Sequence, residues 1–216
     1  MSAYFQNTIL PGAKPADVSE AICRSLAAEG YEQETGRLLF DCQDLLHEKR
    51  LFVLWNEKSC VVLQNNGVED AGKLRSALGD FPLVMQLWAK DGGWGYRLEE
   101  VGRPIAYYSS KPGLEAPDEN LADNPNALAG FAAACGVPRD VDRLRRIERT
   151  RYFFNQKPCA EFAEALNIPV AVLAFHELDQ ANAGIAGEQS ALGWKCRVLA
   201  FKKCQSSRAL QACMVR

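Results

Sequence analysis

Between Ser59 and Ser110 the hydrophobic pattern changes period twice, and no other stretch of the chain restricts the fold so tightly. Cys60-Val61-Val62-Leu63 is a short apolar run that predicts a buried strand. From Glu69 to Asp80, Ala71, Leu74 and Leu78 recur at helical spacing, which predicts an amphipathic helix lying against a sheet. Leu83–Ala89, Trp94–Glu99 and Ile105–Ser109 then predict a three-stranded meander, turned at Asp91-Gly92-Gly93 and at Gly102-Arg103-Pro104. In its middle strand Trp94, Tyr96 and Leu98 alternate with Gly95, Arg97 and Glu99, the period-two mark of a sheet with one covered face and one wet face. A strand, a helix and an antiparallel meander in succession mean an α+β fold.

Upstream the order is similar. Tyr4–Ile9 predicts a strand closed by Pro11-Gly12, and Pro15 opens a helix whose face is Val18, Ala21, Ile22, Ser25 and Leu26. Gly30 stops that helix. Arg37–Cys42 is a candidate strand, and Leu51–Trp55 with Cys60–Leu63 forms a hairpin across Asn56-Glu57-Lys58-Ser59. Residues 1–110 therefore read as two sheet-and-helix units packed together, β-α-β-β followed by an α-β-β-β meander. Residues 111–126 hold prolines and acidic residues and read as an exposed loop or linker. Residues 127–216 are expected to be mainly helical, with helices around Leu128–Cys135, Val141–Ile147 and Phe162–Leu166. Two late strands are expected at Val170–Phe175 and Trp194–Lys202, a small-residue flexible stretch at Ala181–Gly193, and a frayed tail.

The 216 residues are 48% hydrophobic and 24% charged, which suits a folded chain and argues against disorder. A formal charge of −2 gives no global attraction to nucleic acid or anionic lipid. No secretory leader pattern opens the sequence and no apolar run reaches the length of a membrane span, so a cytoplasmic protein without membrane contact is expected. The eight cysteines form no C-x-x-C pair and match no zinc spacing, so they are expected to act as small buried hydrophobes, with Cys204 and Cys213 the most reactive.

Chemistry-bearing motifs are sparse. Neither His47 nor His176 belongs to a nucleophile motif, and no nucleophile elbow, metal-binding HExxH helix or phosphate loop is present. His176-Glu177 is the pair on which an enzyme of unrecognised family would depend. Glu115, Asp118, Glu119 and Asp123 lack the spacing of a calcium loop and read as a solvated run. No catalytic residue, metal or cofactor is assigned.

Two surfaces remain. Trp88, Trp94, Tyr96, Tyr107 and Tyr108 lie on the three meander strands, and such side chains suit interface anchors, although aromatics in strands ordinarily cover a core. Tyr107 and Tyr108 must point to opposite faces. The second surface is the stretch containing Arg143, Arg145, Arg146, Arg149 and Arg151, flanked by Arg139 and Lys157, with Tyr152, Phe153 and Phe154 nearby. Arginine clusters grip phosphate, but Asp140, Asp142 and Glu148 sit at spacings that could neutralise them.

The run Lys90–Gly113, with its Asp-Gly-Gly-Trp-Gly-Tyr strand entry and Tyr-Tyr-Ser strand, resembles a segment of uncharacterised bacterial α+β proteins, and Phe162–Pro169 is similar to a helix end in them. Those proteins usually carry two aspartates where Gly92 and Gly93 stand here, so no role of that acidic pair transfers. The resemblance implies a bacterial α+β protein of unassigned function and supplies no catalytic residue. The expectation is a non-enzymatic, immunity-like or regulatory protein that binds another protein through the aromatic meander or its edge strand. Nucleic-acid binding through the arginine helix ranks second.

Overall fold

A computed structural model describes residues 5–34, 48–64, 74–90, 93–111, 124–138, 141–150, 156–168, 188–191 and 194–203. Its strands are β1 (Phe5–Pro11), β2 (Tyr31–Gln33), β3 (Glu48–Trp55), β4 (Ser59–Gln64), β5 (Leu83–Lys90), β6 (Gly93–Glu100), β7 (Arg103–Ser109), β8 (Glu188–Ala191) and β9 (Trp194–Lys203). Its helices are α1 (Pro15–Ala28), the described part of α2 (74–78), α3 (Pro125–Ala134), α4 (Val141–Arg149) and α5 (Gln156–Ala165).

The strands form one antiparallel sheet in the order β2-β9-β3-β4-β1-β5-β6-β7, with β8 paired to β9. β1 lies in the middle of the sheet, bonded to β4 on one side and to β5 on the other. The α+β class holds, and the predicted hairpin and meander are present. The late strand expected at Trp194–Lys202 is present as β9, and it lies inside the sheet, pairing β3 along Lys195–Lys202. Its other edge takes β8 at Trp194–Arg197 and β2 at Phe201–Lys203. The small-residue stretch expected to be flexible therefore contributes β8, with Ala191 opposite Trp194. The candidate strands Arg37–Cys42 and Val170–Phe175, the proline-containing loop up to 123 and the tail fall outside the described residues.

Alternation along the strands divides the core. On the front face, Ile9, Phe52, Leu54, Val61, Leu63, Met85, Leu87, Trp94, Tyr96 and Leu98 pack with Phe131 of α3, Leu144 and Ile147 of α4 and Phe162 of α5. On the back face, Leu10, Val53, Val62, Val84, Leu199 and Phe201 pack with Val18 and Ile22 of α1 and Leu78 of α2. Each buried side chain of this size contributes about 1.5–3 kcal/mol relative to exposure, which makes both helical layers integral to the sheet. α1 starts at Pro15, where a missing N–H costs nothing. It stops at Gly30, whose φ of 82° places it in the left-handed region. α3 starts where the Asn124 side chain accepts from the Ala127 N–H.

Candidate functional site

The sequence offered an aromatic meander and an arginine helix as separate surfaces, and the fold brings them together. Trp94 and Tyr96 alternate onto the front face of β6, and Tyr108 joins them from β7, since Tyr96 and Tyr108 are register partners. Trp94 lies 4.8 Å from Tyr108 and 5.3 Å from Phe162 between ring centroids, and Tyr96 stacks on Phe162 at 5.1 Å. These rings form the seat of α4 and α5.

Both tyrosine hydroxyls reach one residue of α4. The Tyr96 hydroxyl donates to Glu148 Oε1 at 2.6 Å, and the Tyr108 hydroxyl donates to the Glu148 backbone carbonyl at 2.6 Å. That carbonyl belongs to the last turn of α4, where C=O groups lack helical partners, so Tyr108 acts as a side-chain cap. Burial, with the Glu148 carboxylate second, pushes the Tyr108 phenol up to about 12, which keeps its proton on the hydroxyl as donor.

The expectation of an aromatic contact surface is corrected by this placement. Trp88, Trp94 and Tyr96 are 3%, 1% and 2% exposed, so their area is already spent on the core and is not offered to a partner. Tyr107 and Tyr108 are half-buried and do point to opposite faces: Tyr107 meets Trp88 on the back, 5.7 Å between rings, while Tyr108 faces α4. The physical reason is that a sheet covered by helices on both faces buries its large strand aromatics on either side.

α4 is amphipathic in the opposite sense. Leu144 and Ile147 are buried, while Asp142, Arg146 and Arg149 are exposed and Arg143 and Arg145 flank them half-buried. Among the described residues Glu148 forms no ion pair with Arg143, Arg145, Arg146 or Arg149; its carboxylate accepts from the Tyr96 hydroxyl. Among the described residues, none of Arg143, Arg145, Arg146 and Arg149 has an ion pair, and Arg145 Nε is buried without a hydrogen-bond partner. Lys157, on α5, is held instead by Glu161 at 3.8 Å. Arg139, Asp140, Arg151 and the aromatic run 152–154 lie outside the described residues, as do His47, His176 and Glu177.

Among the described residues no group of histidine, cysteine or carboxylate side chains is arranged to hold a metal ion, and no helix is long and apolar enough to cross a membrane. Cys60, Cys135, Cys159 and Cys196 are buried and free, and burial raises each thiol above its ordinary range. Sequence reasoning missed the tyrosine clamp. Its signal was the pairing of Tyr96 with Tyr108, which needed the register of β6 against β7 to become visible. Compared with protein-family models, curated proteins and solved structures, the chain finds no match.

Proposed function

We propose that this is a non-enzymatic binding protein whose contact surface is the outer face of α4 and whose partner is an acidic segment of another protein. The observation that carries the reading is a helix bearing four arginines with no ion pair among the described residues, while its inward acid is held by Tyr96. Arginine presents a planar fork that matches a carboxylate in two parallel hydrogen bonds, so an unpaired row of them suits carboxylate-rich chain. From Arg143 to Arg149 the row runs seven residues, about 9 Å of helix. Such a patch is saturated by one short acidic motif. The free cysteines and the bacterial resemblance support placing the protein in a bacterial cytosol.

Nucleic acid is the second reading, favoured by the same unpaired guanidinium groups. It ranks behind because affinity for a duplex comes from neutralising many phosphates, and the chain as a whole carries −2. Fluorescence anisotropy separates the two. A labelled acidic peptide and a labelled DNA and RNA oligonucleotide are titrated with wild type and with Arg146→Glu/Arg149→Glu, two exposed positions whose replacement leaves the core intact. Saturable peptide binding that the double variant abolishes supports the proposal. Absence of peptide binding with tight, steeply salt-dependent oligonucleotide binding transfers the surface to nucleic acid, and binding unchanged in the variant removes α4 altogether.

A further inference from the structure

A second polar site lies on the back face, away from α4. Gln86 and Trp88 stand two residues apart on β5 and point the same way, and they are 5% and 3% exposed. Gln86 Nε2 and Trp88 Nε1 are nevertheless without a hydrogen-bond partner. Each buried donor left unsatisfied costs about 1–3 kcal/mol, so two on one stretch of strand mark a place where an acceptor belongs.

Strand register shows what surrounds them. Thr8, Gln86, Arg97 and Tyr107 form one row across β1, β5, β6 and β7. In the next row Trp88 faces Gly95, and a methyl there would overlap the Tyr108 carbonyl oxygen and lie 2.7 Å from Trp88 Cζ2. Glycine thus lets the indole lie flat on β6. The Tyr107 ring packs beside it. Arg97 Nε donates to the buried Glu99 carboxylate at 2.6 Å, and Arg75 of α2 reaches the same carboxylate at 3.8 Å. Two guanidinium groups around one carboxylate leave the cluster with one positive charge in excess. The Arg97 side chain is 22% exposed and keeps further N–H groups beyond its Nε, so solvent reaches this member of the row.

Every orphaned group here is a donor, and the local charge is positive. We propose that this row binds the carboxylate of a small organic acid: Gln86 and Trp88 donate to its oxygens, Arg97 balances its charge and Tyr107 flanks the organic body. The site is independent of α4.

The test is an NMR titration of indole-labelled protein, using benzoate as probe and benzyl alcohol as the neutral control of similar shape. The chain has four tryptophans, so four indole signals are read, and that of Trp88 is identified by its loss in Trp88→Phe. Benzoate should move the Trp88 indole proton saturably and leave that of Trp94, on the front face, unmoved. Gln86→Leu should weaken benzoate by about ten-fold or more, as loss of a hydrogen bond to a charged group implies. The dispersion of the other indole signals certifies that this variant is folded. If it unfolds, the wild-type titration alone decides. The proposal is overturned by no saturable shift with benzoate, by an equal shift with benzyl alcohol, or by a bound water at the Trp88 indole that benzoate does not displace.

Discussion

Replacing Tyr96 and Tyr108 by phenylalanine removes two hydroxyl oxygens and leaves every ring contact of the α4 seat in place. The Tyr96 hydrogen bond, 2.6 Å to a carboxylate, is of the charged class, worth about 1.5–3 kcal/mol. Glu148 keeps another contact, so the lower end applies. The Tyr108 bond to a backbone carbonyl is of the neutral class, worth about 1 kcal/mol. Because both meet at Glu148 they are not strictly additive, and the double variant should lose about 2–3 kcal/mol. For a chain of this length that lowers the melting temperature by about 4–12 °C. The loss should be concentrated in α4: amide exchange in residues 144–150 should accelerate more than in β1 or β4. Acidic-peptide binding should weaken in step, since the arginine face is no longer held in one orientation. A double variant that melts with wild type, or one that loses stability while α4 exchange stays unchanged, would refute the clamp.

Gly95→Ala should destabilise by about 1–3 kcal/mol or prevent folding, because the added methyl meets a backbone carbonyl and a buried indole, neither of which can yield; urea denaturation measures it. Val101 sits in the β6–β7 turn at φ 47°, 64% exposed, a conformation costly for a β-branched residue, so Val101→Asn should raise stability by about 1 kcal/mol in the same assay. Alkaline pH should destabilise the fold. Burial pushes the thiols of Cys60 and Cys135 from 9.0 up to about 12, that of Cys196 to about 11, and the Tyr108 phenol from 10.0 to about 12. The unfolded chain releases these protons first, so stability is intact below pH 9 and falls between pH 9 and 12, as melts across that range would show. A melting temperature constant to pH 11 contradicts that burial.

What the sequence made legible was local. Leu83–Ser109 announced three strands through its glycine turns and the alternation of the middle strand, and Val18, Ile22 and Leu26 announced the α1 face, because in both cases the signal is written into neighbouring residues. Partnership across distance was not written there. Tyr31–Gln33 is too short for any periodic signal and becomes β2 only because β9 supplies its partner. Glu188–Ala191 carries small and polar residues and is a strand for the same reason. The site followed the same division. The arginines of α4 were evident, but their freedom from Glu148 depends on where two tyrosines from β6 and β7 deliver their hydroxyls. The orphaned donors of Gln86 and Trp88 were invisible, since an absence of partners exists only in three dimensions.

The position of β9 governs when this molecule can become itself. β3, made near residue 50, waits for a neighbour that leaves the ribosome some 140 residues later. Throughout that interval β3 carries an open hydrogen-bonding edge, the kind of ledge to which another nascent chain can attach. The sheet is therefore sealed late, and a chain cut short of Trp194 would retain the arginine helix yet be selected by chaperones and proteases as unfinished.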